Sequence, residues 1–574
     1  MRADRALLLA VLLAAPLARG AAQGVETLAA TAPVPAPMGE LQRFAEASRY
    51  TGMRWPDVSD VRAQVKRLHE PVGWAPRWTQ SGRPTAAVRA MVQRFLAAGA
   101  HGLDPADYDA SAHDATLARL EAGETLEPAA LAAFEAQVSA SALRYAAAMR
   151  HGRVRLGWKE DTLMARRPAA DMVPFLDSML TAPEPALLLA QLDARGAGYP
   201  RLQAALARAR QVAADSALVF PELAPPVRPG ARLPAAGALR RYLDALGEGG
   251  PDSAPPAPEA DTLHDATLVA RVKAFQRAEG LKADGVLGRE TVVRLAAAPE
   301  WRVRQLEIAL DRWRALPDAP TDSAYVRVNI PEFRLRVMAP SLTGMREVLA
   351  MNVVVGGGGR NQTPEMVEEI ETVVFRPFWN ITPRIMRDEV KPGFAKDSTY
   401  LSSRGMELVQ KGQVIPATPE NVERLGTDGI RVRQRPGAQN ALGKVKFLLP
   451  NDLGIYLHDT PTRSTFRRER RAESHGCIRL EDAKVLAEWL LRDQPQWTSA
   501  RIDSAMAAEK PTDVRLTANV PVRLEYATVV AGPDGTLQRF PDVYGRDRLL
   551  DQLLRTGYPL ASRPTPVRVI LKKG

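Results

Sequence analysis

Near residue 320 the spacing of apolar residues changes, and that change commits the chain to a helical first part and a strand-rich second part. Upstream, Leu131, Phe134, Val138, Ala142, Tyr145 and Met149 recur at steps of three and four, the stripe of an amphipathic helix. The helical signal persists from Trp301 to Arg314. Downstream, Val326, Val328 and Ile330 alternate, as do Phe333, Leu335 and Val337, with Pro331 between them. This reads as a hairpin or bent strand pair. Val353 to Val355 and Thr372 to Phe375 read as further strands, and Ile455 to His458 as a strand that delivers His458 at its end. Glu481 to Leu491 reads as a helix, and alternation returns at Val514, Leu516, Val520, Val522 and Leu524 before an Asp534-Gly535 turn. A chain of 574 residues is too long for one hydrophobic core, so two to four domains are expected.

The first residues read as a secretory signal over 1–22: Arg2 and Arg5, then apolar Ala6 to Leu17, then small Gly20, Ala21, Ala22 and Gly24. The apolar run falls short of the roughly 17 residues a membrane span needs. No Cys follows it, which excludes a lipidated N-terminal Cys. The Ala/Pro-rich segment 23–40 is expected to be a flexible lead-in. The mature protein is expected to be exported to the cell envelope, with no membrane span. A net charge of +11 suits an anionic partner, either a cell-wall polymer or a membrane surface. Nucleic acid is the least expected, because no basic platform interleaved with aromatics is present. Trp55, Trp74 and Trp78 could form a sugar-stacking surface, but packing is the expected role. Gly356 to Gly359 lacks the Lys-Ser/Thr partner of a phosphate-cradling loop.

Cys477 is the only cysteine, so no internal disulfide can form. It closes the run Ser474-His475-Gly476-Cys477-Ile478-Arg479, and His458-Asp459-Thr460 lies a short way upstream. A free thiol has a pKa near ~8.5 and needs a base or a cation beside it to act as a nucleophile. His458 can arrive from a neighbouring strand and is expected to be that base. His475, two residues from Cys477, is expected to face the other way along an extended backbone and to serve as a site wall. The competing reading is a zinc site built from His458, His475 and Cys477. Against it stand the crowding of His475 and Cys477 and the lack of a close-spaced His/Asp motif. No metal or cofactor is expected.

Between the two parts lies a string running from Val272 through Phe275-Gln276 to Gly280-Leu281, then Asp284-Gly285-Val286-Leu287-Gly288 and Thr291 to Leu295. It resembles the small three-helix peptidoglycan-binding module. Under that resemblance the Pro-rich stretch Gly249 to Ala260 is a loop inside the module, and Gly285 and Gly288 supply tight turns.

The cysteine site resembles the L,D-transpeptidase catalytic domain, whose signature is a His, about fifteen residues, and then Ser/Thr-His-Gly-Cys; here sixteen residues separate His458 from His475. The resemblance implies that Cys477 is the nucleophile and His458 the general base, with the imidazole oriented by the Asp459 carbonyl rather than its carboxylate. Backbone N–H groups around Gly476 and Cys477 would hold the oxyanion, with Ser474 and His475 at the wall. Arg479, where many members carry Asn, would orient a substrate carboxylate. Tyr456, Trp379 and Asn380 would also contact substrate. Arg463, Arg467, Arg468, Arg470 and Arg471 are either carboxylate-capturing or a solvated loop face.

Phe378 to Pro383, Gln434 to Gly437, Pro521 to Tyr526 and Asp542 to Asp547 look like the larger periplasmic subgroup of that family. The implied fold is multidomain α+β. Its parts are a helical scaffold at 41–232, the binding module at 233–298, and a mainly β catalytic domain at 299–574. A capping insertion at about 384–430 would form a mobile, solvated lid. The implied activity is 3→3 cross-linking of peptidoglycan stem peptides through a Cys thioester, with release of D-alanine and a role in cell-wall organisation and cell shape. An L,D-carboxypeptidase, an envelope-protein-attaching transpeptidase and a non-catalytic wall-binding scaffold are the alternatives. A carbapenem is expected to acylate Cys477. Peptidoglycan stem peptides and glycan are the expected partners, together with other cell-wall synthesis enzymes.

Overall fold

The computed structural model describes residues 36–558 and 565–566, apart from 160–161, 167–169, 194–195, 197, 248–261, 280, 297, 343 and 533. The expected signal peptide and the Pro-rich loop of the binding module fall outside the described residues, as does Gly280. The lead-in expected to reach residue 40 ends earlier. Ala36–Glu46 is a helix, anchored by the buried side chains of Leu41 and Ala45.

The scaffold is assembled around the helix Pro128–His151. The expected amphipathic stripe is buried on almost every side from Phe134 to Met149, because the neighbouring helices surround it. Its polar residues are therefore spoken for. Buried Glu135 accepts the backbone N–H groups of Arg77, Trp78 and Thr79 at 2.8, 3.0 and 2.8 Å. Ser139 Oγ accepts the Trp78 indole N–H at 2.8 Å and lies 2.8 Å from His69 Nε2. Trp78 and Trp74 are core residues, and Trp55 donates its indole N–H to Asp107 at 2.9 Å. These rings pack and do not form a sugar platform. The scaffold is also not wholly helical: Arg155–Lys159 and Thr162–Arg166 form a hairpin, and Thr565–Pro566 adds a third strand from the far end of the chain.

Three helices make up the next unit: Ala236–Ala245, Ala266–Ala278 and Arg289–Ala296. Phe275 is fully buried among Leu239, Tyr242, Leu268 and Leu295. The Gln276 side chain closes the turn, accepting from Gly285 N at 2.8 Å and donating to Val286 O at 3.0 Å. Gly285 sits at φ +76°, where a Cβ would meet Val269 at 2.8 Å. Gly288 differs from expectation: it has no positive φ and open space around it.

The strand-rich part is a sheet of nine strands: β1 Tyr325–Asn329, β2 Arg334–Ser341, β3 Gly344–Gly356, β4 Met366–Phe375, β5 Val445–Leu448, β6 Leu457–His458, β7 Ala472–Ser474, β8 Ile478–Leu480 and β9 Thr512–Glu525. Their order is β7-β3-β8-β6-β5-β4-β9-β1-β2, and β3 also pairs with β2, so the sheet closes on itself. Strand β3 makes the closure by pairing with β2 over Gly344 to Asn352 and with β8 at Val353 and Val354. Val326, Val328, Leu335, Val353, Val373, Phe447, Leu457 and Ile478 fill the interior. Alternation then sends every second residue outward.

The segment from Trp379 to Gln434, between β4 and β5, differs from the solvated lid expected at about 384–430. It has four short strands and its own core of Ile381, Ile385, Met386, Val390, Phe394, Leu408, Val422 and Val432. The apolar positions scattered through a charged sequence meet only in three dimensions, which is why composition suggested a solvated segment.

Helix Ala298–Ala315 joins the parts. Leu306 and Leu310 pack on Leu202 and Leu206 of the scaffold. On the other side Arg312 bridges Glu365 at 3.1 Å and Asp547 at 3.0 Å. The boundary expected at 299 thus falls inside a helix shared by both parts.

His69 and His113 lie in the scaffold core, where burial lowers each pKa from 6.5 to about 4. The unfolded chain therefore takes up protons at these sites before the folded one does. Stability from these two groups is complete above about pH 6.5 and is lost as the pH falls toward 4. The thermal midpoint of the scaffold transition should hold from pH 8 to 7 and fall below 6.5, and replacing both residues by Gln should lessen that dependence, with buried His101, also lowered to about 4, carrying part of the rest.

Candidate active site

The site is built on the outer face of the closed sheet by two rungs of parallel pairing. Leu457 pairs with Ile478, and His458 with Arg479. Strand periodicity turns Leu457, Ile478 and Leu480 into the core and leaves Tyr456, His458 and Arg479 on the outer face. Cys477, one residue before β8, opens onto the same face. A cleft of about 610 Å³ holds Cys477, His458, Tyr456, Arg479, Ser474 and His475 on its sheet side. Trp379, Thr382, Arg384, Ile385, Arg387 and Glu389 of the capping segment close the other side.

His458 is buried, with Nδ1 2.5 Å from the Asp459 carbonyl oxygen. A carbonyl only accepts, so Nδ1 carries the proton and Nε2 keeps its lone pair. Burial is the largest influence on this imidazole and lowers its pKa from 6.5 to about 3; the Asp459 carbonyl works the other way. His458 is therefore neutral at any pH near 7. The Asp459 carboxylate is occupied elsewhere, accepting Lys444 N–H at 2.8 Å and Arg463 Nη2 at 2.5 Å.

Cys477 is half-buried, and burial pushes its thiol above the usual 9.0. The Tyr456 backbone N–H and hydroxyl pull it back down, followed by Lys446 and Arg479. At rest the thiol and the imidazole are both neutral, and the thiol donates to Gly454 O at 3.6 Å. Burial raises the Tyr456 hydroxyl pKa and Trp379 works against it, so the capping segment reaches this network.

His475 is held by the capping segment. Residues two apart on an extended strand share a face, contrary to the expectation above. What separates His475 from Cys477 is the break at Gly476, where φ is +123° and a Cβ would approach Ile455 at 3.1 Å. His475 Nε2 lies 2.6 Å from Glu389 Oε1 of the capping segment, and Arg384 donates to its carbonyl at 3.2 Å. The Gly476 N–H is taken by Ser474 Oγ at 3.1 Å, and Ser474 Oγ donates to Cys477 O at 2.5 Å. Among the described residues the Cys477 N–H has no hydrogen-bond acceptor. That leaves Cys477 N–H, not Gly476 N–H, as the open donor at the corner.

Asn380 departs from expectation. It alternates with Trp379 on a short strand, pairs with Arg433 and is exposed away from the cleft. The five arginines of the 463–471 loop do not line the cleft either. Arg463 also donates to Glu481 O at 2.5 Å, Arg471 donates to Val353 O at 3.2 Å, and Arg468 pairs with Glu473. The arginines that do line it are Arg360, Arg384, Arg387 and Arg479.

Periodicity and motif reading missed Thr363 and Lys446, and singled out the stretch Asp542 to Asp547 without giving Tyr544 a role. Thr363 Oγ1 donates to Gly476 O at 2.8 Å and accepts Gly356 N–H at 2.8 Å. The Tyr544 hydroxyl donates to Gly356 O at 2.7 Å and accepts Thr363 N–H at 3.1 Å. Arg546 holds Gln362 Oε1 at 3.0 Å and Thr363 O at 3.1 Å from below. A segment near residue 545 thus braces the turn that carries Cys477. Lys446 could have been found from its outward place between Val445 and Phe447.

Residues 323–514 match the family model of the L,D-transpeptidase catalytic domain. The chain carries an L,D-transpeptidase catalytic domain. Two further family models match: a scaffold domain at 63–206 and a peptidoglycan-binding domain at 232–295. A Haemophilus influenzae protein provisionally named an L,D-transpeptidase is 32% identical over 252 residues, which is 43% of this chain and 49% of that protein. The chain thus spans about half the length of that relative. Among solved structures, an L,D-transpeptidase of Xylanimonas cellulosilytica aligns over 53% of this chain and all of its own, at 16% identity and a TM-score of 0.17. A Bdellovibrio bacteriovorus protein aligns over 41% of this chain and 56% of its own, at 13% identity and a TM-score of 0.16. The L,D-transpeptidase domain match spans His458, Cys477 and the capping segment.

Thr363→Val removes the donor to Gly476 O and leaves Gly356 N–H without its acceptor. An unsatisfied buried group costs about 1–3 kcal/mol. The variant should lose about 1–3 kcal/mol of stability, which denaturant unfolding followed by circular dichroism would show.

Proposed function

We propose that this protein is a peptidoglycan L,D-transpeptidase that makes 3→3 cross-links. The observation that carries the reading is that one cleft holds the Cys477 thiol and His458, whose Nδ1 is tied to the Asp459 carbonyl at 2.5 Å so that Nε2 is left as a free base. The donor is a tetrapeptide stem. His458 Nε2 takes the thiol proton, and Cys477 sulfur attacks the carbonyl carbon of the third residue. The bond to D-alanine nitrogen breaks, and that nitrogen takes the proton from His458. The side-chain amine of a second stem then attacks the thioester carbon and gives its proton to His458. Sulfur leaves and recovers that proton.

The oxyanion formed in both steps would be met by Cys477 N–H, the donor left open at the corner. A cleft walled by Arg360, Arg384, Arg387 and Arg479 suits a stem rich in carboxylates. Its open mouth and the peptidoglycan-binding domain suit a polymer. A periplasmic location suits such a substrate and agrees with the signal expected at 1–22. No helix among the described residues is long and apolar enough to cross a membrane.

Incubation with a purified disaccharide-tetrapeptide, resolved by mass, tests the reading. A cross-linked dimer and free D-alanine are expected, and Cys477→Ala should abolish both. Tripeptide without dimer would redirect the thioester to water and make the protein an L,D-carboxypeptidase. Unchanged products from Cys477→Ala would sink both. Incubation with a carbapenem should add its mass to the wild type and not to Cys477→Ala.

A further inference from the structure

We propose that Lys446 is a positioning residue for Cys477: its ammonium, held over the Tyr456 ring, stabilises the negative charge on sulfur as neutral His458 takes the thiol proton. This rests on the reading of Cys477 as the nucleophile.

The placement comes from register. Lys446 is the outward residue of β5, between buried Val445 and Phe447, and pairs directly with His458 on β6. It therefore lies on the face that carries Tyr456, His458, Cys477 and Arg479. Its Nζ sits 3.9 Å from the centroid of the Tyr456 ring, well inside cation–π range. The Tyr456 ring in turn lies 5.7 Å from the His458 ring, and its hydroxyl and backbone N–H act on Cys477 sulfur. Lys446 makes no ion pair within 4.0 Å among the described residues.

A half-buried ammonium without a carboxylate partner is costly in water lost. Burial accordingly lowers the Lys446 pKa, and the charges that offset this are Cys477 and then Asp513. Asp513 sits on the same face, with Val374 of β4 between it and Lys446. The arrangement is coherent if the ammonium serves a charge that appears on sulfur during turnover.

The other groups around the thiol do not replace it. From β6 come Tyr456 and neutral His458, and from β8 comes Arg479. Across the cleft stand Arg384, Arg387 and Glu389, with His475 held by Glu389. Arg479 is the second cation acting on both Cys477 and His458, and Glu473 partly offsets it. Lys446 also disfavours a proton on His458, which keeps the base unprotonated.

The single cysteine makes the test direct, because every thiol adduct on the full chain reports Cys477. Iodoacetamide alkylation would be timed by intact mass from pH 6 to about 11.5 for the wild type, Lys446→Met, Lys446→Gln and Lys446→Arg. Circular dichroism melting would confirm folding. Removing a nearby cation should raise the alkylation midpoint of the Met and Gln variants by about one pH unit, a fall of roughly tenfold in rate below the midpoint. The Arg variant should stay within a few tenths of a unit of the wild type. A folded Met or Gln variant with the wild-type midpoint would overturn the inference. So would a folded Arg variant displaced as far as the uncharged ones. Alkylation needs no stem peptide, so this result stands apart from the transpeptidase reading. Stem chemistry that survives in Cys477→Ala would end that reading without moving the thiol titration.

Discussion

Two rungs of parallel strand pairing, Leu457 with Ile478 and His458 with Arg479, hold the site together. Parallel strands need a crossover, and here the crossover is the arginine-rich loop between His458 and Ala472. The pairing aligns two alternations, so the apolar residues of both strands enter the barrel and the chemical ones leave it together. A one-residue slip would bury His458 in the core and expose Ile478. Closure of the sheet through β3 protects that register, since a closed ladder leaves no edge along which it can slide.

The turn after the crossover is fixed from outside the strands. Gly476 adopts a backbone that other residues avoid, and Thr363 and Ser474 hold its carbonyl and N–H. Thr363 is itself held by Tyr544 and Arg546, which come from the segment after β9. That segment also meets Arg312 of the helix shared with the scaffold, through Asp547. A continuous series of buried hydrogen bonds and ion pairs therefore runs from the scaffold side to the turn that bears Cys477. Such contacts favour one geometry over close alternatives more than they add stability.

The electrostatics of the cleft divide by depth. On the sheet face, burial keeps His458 and the Cys477 thiol uncharged at rest, with two cations, Lys446 and Arg479, beside them. At the capping side, Arg384, Arg387 and Glu389 are more exposed, and His475 is paired with Glu389 across the cleft. The deeper layer suits proton transfer in a poorly hydrated space. The outer layer suits recognition of an anionic chain. The capping segment belongs to both layers, because Trp379 reaches the Tyr456 hydroxyl while Glu389 reaches His475.

The sequence by itself determined the period change near residue 320, the Phe275-Gln276 module, and the candidacy of Cys477 and His458. Each is a local signal: a spacing, a signature string, a lone thiol beside two imidazoles. The closed sheet supplied what spacing cannot, the pairing of residues far apart in the chain. It set His458 beside Lys446, while the sheet of the capping segment turned Asn380 outward and the segment after β9 brought Tyr544 to Gly356. The fold also parted the two histidines, for a different reason from the one local periodicity suggested. His475 is parted from Cys477 by the positive φ of Gly476 and drawn to Glu389, whereas His458 is tied by Nδ1 to the carbonyl next to it. Residue types limit which chemistry is open to a chain. Which of them share a face, and what charge each bears there, depends on burial and on partners that only the folded structure brings together.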